Sequence, residues 1–176
     1  MRWELLVKIG IGLPNPVPNT PGDLLVDWAQ RAEAAGFSGL VTIDRIAYPS
    51  YDSLTSLAAA AGATKRISVM TNILLAPIYP PVLLAKTAAS IDQISSGRFS
   101  LGLAAGGRSD DYEVTGRDFH RRGREFASQI AESAHRSVSQ LRDVSKGFED
   151  AGFTELNFDP TVATLDQIDR LAAAVL

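Results

Sequence analysis

The chain has 176 residues, of which 45% are hydrophobic and 21% are charged, a balance typical of one globular domain with a sizeable core. Its net charge of −3 and its scattered acidic residues argue against a nucleic-acid partner. The sequence contains no cysteine, which excludes disulfides and thiolate nucleophiles, and its two histidines are too few for a multi-histidine metal centre. No apolar run is long enough to span a bilayer and the N-terminus lacks the features of a signal peptide, so we expect a cytoplasmic protein with no membrane partner.

Four apolar runs, each followed by a loop rich in proline or glycine, predict four strands along the first part of the chain. They cover residues 7–13, 39–43, 67–75 and 99–104. The spacing of apolar residues between them predicts three helices, over 22–35, over 54–61 and from Pro81 to Ser95. We expect Thr20 or Asp23 to cap the first helix, and Asp52 or Ser53 to cap the second.

The same spacing predicts which helical side chains face the core. They are Leu24, Leu25, Trp28, Ala32 and Ala35 in the first helix, and Leu83, Leu84, Ala88 and Ile91 in the third. Gly36 is expected to end the first helix, and Gly97 is expected to take the left-handed conformation after the third.

This alternation of strands and helices is typical of a parallel α/β sheet. No Gly-x-Gly-x-x-Gly motif follows the first strand, because Gly10 and Gly12 lie inside that strand and lead to Pro14. The pattern therefore favours a barrel of β/α units, or part of one, over a doubly wound dinucleotide-binding fold.

The second half of the chain has a less regular pattern. Residues 110–119 are polar and contain glycine, so we expect a mobile connection there, and residues 121–151 predict one long helix or two shorter ones. Residues 154–158 predict a fifth strand that ends at Asp159, and a last helix follows from Thr164 or Asp166.

Several segments, in this order, resemble the luciferase-like monooxygenase family of flavin- or deazaflavin-dependent oxidoreductases, which have a (β/α)8 barrel. The segments are VKIGIGLP (7–14), AEAAG (32–36), TNILLAP (71–77), IDQISSGRFSLGLAAGG (91–107), DDYE (110–113) and FHRRGR (119–124). Residues 7–126 resemble the N-terminal half of the family's barrel, and residues 141–176 resemble its last strand–helix unit.

A complete barrel of this type needs about 250 residues and eight strands, so this chain is too short to hold one. The family's strands five to seven have no counterpart between residues 127 and 140. We therefore expect residues 1–176 to form a single TIM-barrel-like α/β domain, an incomplete barrel of about five strands. Because an open sheet edge needs cover, we expect a homo-oligomer, a dimer. The alternatives are an internally deleted relative without activity, or a sequence from which residues are missing.

The resemblance implies a flavin cofactor, with FMN as the first choice and a deazaflavin as the alternative. In the family, a strand bulge with a non-proline cis peptide bond backs the isoalloxazine ring, and Asn72-Ile73 occupies that position here. Ala105, Gly106 and Gly107 would let the cofactor approach the backbone closely, because glycine has no side chain.

Asp44 and His120 are the candidate catalytic residues. Asp44, at the end of the second strand, can hydrogen-bond a ring or orient a substrate, although an aspartate there can equally cap a turn. His120 stands in a basic segment that can meet a phosphate or an acidic substrate, or can serve only to begin a helix.

These residues lead to two hypotheses. The first is a flavin-dependent oxidoreductase of the luciferase-like monooxygenase type that acts on a small organic substrate, with a deazaflavin-dependent dehydrogenase or reductase as a variant. The second is a truncated barrel without turnover that only binds flavin or forms an oligomer.

Overall fold

The computed structural model describes residues 9–135, which form a parallel sheet covered by helices. The strands are β1 (Gly10–Gly12), β2 (Gly39–Thr42), β3 (Ser68–Leu75) and β4 (Phe99–Ala104). The helices are α1 (Gly22–Ala35), α2 (Ser53–Ala63), α3 (Pro81–Ser95), α4 (Ser109–Val114) and α5 (Arg122–His135). Short 3-10 turns cover Ala76–Ile78 and Phe119–Arg121.

The four described strands are all parallel and lie in the order β1-β2-β3-β4. Each crossover therefore moves one strand further in the same direction, whereas a doubly wound sheet reverses its strand order at a switch point. This confirms the expected α/β class and the incomplete barrel. The predicted fifth strand at 154–158, Asp159 and the last helix lie outside the described residues.

The core lies between the sheet and its helices. Leu40 and Val69 point toward the helices and are fully buried, and they pack with Leu57, Ala88 and other residues of α1, α2 and α3. Side chains alternate along a strand, so Val41, Met70 and Ser100 point to the opposite face. These three residues stay partly exposed in the described part of the chain. In a closed barrel that face would be the interior.

The first helix differs from the prediction at its start and in its buried face. Pro21 occupies the N-cap position without a side-chain bond, while the Thr20 hydroxyl donates to the carbonyl of Val17 at 2.8 Å. The prediction that Thr20 or Asp23 caps α1 is therefore wrong. The buried residues are Leu25, Ala29 and Ala32, whereas Leu24 is 42% exposed and Ala35 is exposed.

The second helix confirms its predicted cap, since the Asp52 carboxylate accepts from the amide of Thr55 at 2.6 Å. In the third helix, Leu84, Ala88 and Ile91 are buried as predicted, but Leu83 is 61% exposed. The left-handed cap of that helix is Ser96 (φ 57°), and Gly97 directly after it also has a positive φ of 78°.

The expected connection over 110–119 is wrong in its first half, where α4 forms. Asp111 and Tyr112 in this helix are fully buried. Six residues are too few to show a helical period, which explains why the sequence pattern did not predict this element. None of the helices in the range 9–135 is long and apolar enough to cross a membrane.

Two long polar side chains join the elements at the amino ends of the strands. Glu33 of α1 accepts from three successive backbone amides, those of Lys65, Arg66 and Ile67, at 2.9, 2.5 and 3.0 Å. Arg98 donates to the carbonyls of Ala61 and Ile67 at 2.9 and 2.5 Å, and so ties the start of β4 to α2 and β3. Arg98, which belongs to the family-like segment 91–107, thus has a structural role here.

Replacing Glu33 tests the contribution of this carboxylate. The backbone amide of Ile67, together with those of Arg66 and Lys65, lowers the pKa of Glu33 from 4.5 to about 2. Its stabilisation is therefore complete above the unfolded pKa near 4.5 and is lost as the pH falls toward 2. We expect Glu33→Gln to lower the free energy of unfolding at neutral pH by about 1 kcal/mol, a value reduced by solvent screening.

Urea unfolding at pH 7 and pH 3 measures this effect. The difference between the wild type and Glu33→Gln should shrink at the lower pH, while the exposed Glu113→Gln control should match the wild type at both. An equal difference at both pH values would contradict the assigned role.

Candidate functional site

The ends of the strands meet at one edge of the sheet, because parallel strands bring their carboxyl ends together. The loops at this carboxyl edge begin at Leu13, Ile43, Ala76 and Ala105. The residues that the sequence singled out after β2, in β3 and after β4 all lie along this edge.

Asn15 connects the first two strand ends. Its side chain is fully buried, and its amide donates to the carbonyl of Ile43 at 2.9 Å and accepts from the Ile43 amide at 3.4 Å. This pairing extends the contact between β1 and β2 beyond the last ladder bond. Ile43 itself stays 51% exposed, on the face of the sheet that the helices do not cover.

The third strand contains a bulge at its carboxyl end. The register between β3 and β4 shifts between Thr71 and Leu74, and the peptide bond between Asn72 and Ile73 is cis, as predicted. The Thr71 hydroxyl holds the bulge, since it donates to the carbonyl of Gly102 and accepts from the Gly102 amide, both at 2.8 Å. Asn72 is exposed and Ile73 is partly buried.

Gly102 lets β4 approach this bulge closely. A Cβ at that position would clash with the carbonyl oxygen of Thr71 and would lie 3.3 Å from Cγ2 of Ile73. The Ile73 side chain therefore covers the place that a side chain at Gly102 would occupy. This puts Ile73 on the open face of the sheet, beside the exposed Asn72.

Asp44 forms a buried junction between β2 and the end of β3. Its carboxylate accepts from the Leu75 amide at 2.9 Å and from the Tyr79 hydroxyl at 2.9 and 3.1 Å, and the residue is 3% exposed. Burial raises the pKa of Asp44, and the hydrogen bonds from Leu75 and Tyr79 act against that rise. Burial also raises the pKa of Tyr79, which therefore stays a hydroxyl donor at neutral pH. This arrangement suits an anchoring carboxylate; a catalytic role stays a prediction.

His120 lies in the 3-10 turn before α5 and is exposed. Its backbone amide donates to Asp118 at 2.9 Å, and its ring meets Phe119 edge-on. Among the described residues, no hydrogen bond or ion pair joins His120 to Asp44. The structure therefore does not bring the two predicted catalytic residues into contact.

The loop after β4 is held by its carbonyl groups. The buried Tyr112 hydroxyl donates to the carbonyl of Ala105, and Arg122 Nε donates to the carbonyl of Gly106 at 3.0 Å. Gly106 has a left-handed φ of 71°, and a Cβ there would come within 2.5 Å of Leu75 Cδ2. At Gly107, by contrast, an added Cβ would have no atom of residues 9–135 within 4 Å, so within that range the residue faces open space.

Three residues that shape this edge were not identified as site residues from the sequence: Tyr79, Asp111 and Tyr112. Asp111 and Tyr112 stand in the DDYE segment, which carried the family resemblance but gave no sign of burial. Asp111 accepts from the amides of Ile46 and Ala47 and from Arg45 Nε. Arg45, which follows Asp44 directly, is thereby bound to α4.

The carboxyl edge fits a flat, partly polar ring. Ile43 and Ile73 offer apolar surface, Asn72 offers an exposed amide, and Gly107 leaves open space after β4. The fold and this edge together define part of a parallel α/β barrel with an open surface at the carboxyl ends of its strands.

Comparison with known proteins identifies the family. The sequence model of the luciferase-like monooxygenase family matches residues 5–131, which is more than half of the chain, so this chain belongs to that family.

Among characterised relatives, an FMNH(2)-dependent dimethylsulfone monooxygenase of Pseudomonas fluorescens is 32% identical over 140 residues, covering 65% of this chain and 38% of the relative. The crystal structure of monooxygenase RslO1 from Streptomyces bottropensis aligns with a TM-score of 0.63 and 27% identity, covering 71% of this chain and 41% of that one. An F420-dependent secondary alcohol dehydrogenase, in complex with an F420-acetone adduct, aligns with a TM-score of 0.60 and 26% identity, covering 74% of this chain and 42% of that one. The chain thus spans about two fifths of the length of these three proteins.

The two adjacent glycines after β4 provide a matched test of the loop. We expect Gly106→Ala to lower the free energy of unfolding by about 2 kcal/mol, because a left-handed backbone and the Leu75 contact both oppose a Cβ there. Gly107→Ala should stay within about 0.5 kcal/mol of the wild type, since its Cβ would meet open space.

Chemical denaturation of both variants measures the difference. Equal stability of the two variants would show that Gly106 does not require the left-handed conformation.

Proposed function

We propose that this chain binds a flavin at the carboxyl edge and belongs functionally to the flavin-dependent oxidoreductases that act on small organic substrates. The observation that carries the proposal is that Ile43, Asn72, Ile73 and Gly107 all lie at the carboxyl ends of three neighbouring strands and stay at least partly exposed. A bound flavin supplies hydride or oxygen chemistry, and the protein binds and orients it.

Several residues at or near the carboxyl edge have different parts in flavin binding. Ile73 supports one face of the ring, and Asn72 supplies a hydrogen-bonding amide next to it. Ala105, Gly106 and Gly107 provide a backbone that a ligand can approach without side chains in the way. Asp44 positions the exit of β3 through Leu75 and Tyr79. His120 remains a candidate for an anionic group of the cofactor or substrate.

FMN is the proposed cofactor, with a deazaflavin as the alternative. The Pseudomonas relative is named for FMNH(2), which favours FMN. The aligned F420-dependent dehydrogenase favours the deazaflavin, and none of the residues described above discriminates between the two.

We also propose a homodimer. Two surfaces of the described residues suit contact with a second chain. One is the inner face of the sheet, which no described helix covers, and the other is the surface of α2 and α3, which is poor in charge. Helix α2 contains no charged residue, and it packs beside α3, whose outer side exposes Leu83 and Ile94. A native mass equal to that of one chain would contradict this proposal.

The cytoplasmic location stays a prediction.

The alternative is a chain that binds flavin but does not turn over a substrate. Residues 9–135 form four strands, half of the eight in the family's barrel, and this favours the alternative because residues from the other strands would complete a substrate pocket. Flavin binding without reduction or oxygen-dependent turnover by the purified 176-residue chain would support this alternative.

A bulky side chain at Gly107 tests the site directly. We expect wild-type protein to bind FMN or F420 at micromolar concentrations in a fluorescence titration. Gly107→Leu should weaken binding by at least about 10-fold, because its side chain would occupy the space that the glycine leaves open at the carboxyl edge.

The control is Ala34→Leu, which places a leucine side chain on the exposed side of α1, away from the carboxyl edge. It should bind flavin like the wild type. Unchanged binding by Gly107→Leu would place the flavin elsewhere, and no binding by the wild type would contradict the proposed function.

A further inference from the structure

Helix α4 joins two loops of the carboxyl edge that lie far apart in the sequence. It follows the β4 loop directly and contacts the loop after β2 through a side chain. Asp111 and Tyr112, its two fully buried residues, make these contacts as neighbours on one turn.

Asp111 holds the loop after β2. One carboxylate oxygen accepts from the amides of Ile46 and Ala47 at 2.7 and 2.8 Å, and the other accepts from Arg45 Nε at 2.7 Å. A buried carboxylate needs such partners, because an unpaired charge in the interior is strongly unfavourable. Three donors from consecutive residues therefore fix the backbone that immediately follows Asp44.

Tyr112 holds the loop after β4. Its hydroxyl donates to the carbonyl of Ala105, and its ring packs with Leu75 and Ile78 and meets Phe119 edge-on at 5.6 Å. Burial raises the pKa of Tyr112 to about 12, so the hydroxyl keeps its proton at physiological pH. The hydroxyl that donates to Ala105 is thus protonated at physiological pH.

We infer that Asp111 and Tyr112 are positioning residues of the flavin site, which set the separation between the loops after β2 and β4. The strand between these loops, β3, carries Asn72 and Ile73, so this separation determines the width of the surface on which the ring would rest. Neither residue needs to touch the cofactor. This inference rests on the proposed function.

Tyr112→Phe and Asp111→Asn test the inference with little change in volume. In hydrogen exchange of the unliganded chain, Asp111→Asn should speed exchange at Ile46 and Ala47 by about 10-fold or more, because their shared acceptor loses its charge. Tyr112→Phe should weaken FMN binding by about 10-fold and shift the visible spectrum of the bound flavin, because the β4 loop would be free to move.

Two controls separate positioning from a general loss of stability. Tyr48→Phe removes a hydroxyl from an exposed ring and should leave exchange, affinity and spectrum unchanged. Ile67→Val removes a methyl group from the core at the amino end of β3, so it should lower the melting temperature but keep the flavin spectrum of the wild type.

The outcomes distinguish the inference from the proposed function. Wild-type binding together with unchanged affinity and spectrum in Tyr112→Phe would overturn the positioning role alone. A spectral change in Ile67→Val equal to that in Tyr112→Phe would also overturn it, because stability would then explain both. Wild-type protein that binds neither FMN nor F420 would overturn the proposed function and the inference together.

Discussion

The hydrogen bonds accepted by two buried carboxylates are the constraint on which the carboxyl edge depends. Asp44 fixes the exit of β3 through Leu75 and Tyr79, and Asp111 fixes the loop after β2 through Arg45, Ile46 and Ala47. Charged groups remain inside a protein only where their oxygens have donors. The chain supplies those donors from neighbouring strand ends, so the burial of charge and the shape of the edge are linked.

The two faces of the sheet have different roles in this arrangement. The helix-facing side chains of β2 and β3 form a packed core with α1, α2 and α3. The opposite face carries partly exposed residues and the bulge at Asn72 and Ile73. A ligand, the rest of a barrel or a second chain can therefore meet this face without disturbing the core.

Much of the fold could be predicted from the sequence, because the strands and long helices have strong apolar patterns with clear ends. All four described strands and α1, α2 and α3 were predicted close to their observed bounds. Helix capping and the buried face of α1 were less predictable. The Thr20 hydroxyl donates to a loop carbonyl and does not cap the helix, and α1 buries Ala29 where the pattern predicted Leu24. These details depend on tertiary contacts, which a local pattern does not contain.

The site was predictable only in part. The family resemblance located the bulge and the glycines after β4, but the burial of Asp44 and Asp111 depends on partners 31 to 66 residues away in the chain. Helix α4 was missed because its short length hides any period, although Tyr112 is among the largest fully buried side chains.

The most direct test of a flavin site at the carboxyl edge is a backbone amide NMR spectrum recorded during addition of FMN to uniformly labelled protein. For such a site, the largest shift changes should fall on the amides of Asn72, Ile73 and Ala105–Gly107, with smaller changes at Ile46 and Ala47. Amides at the amino ends of the strands, such as Ser68 and Phe99, should not move. Shifts concentrated there, or no shifts at saturating FMN, would contradict a flavin site at the carboxyl edge.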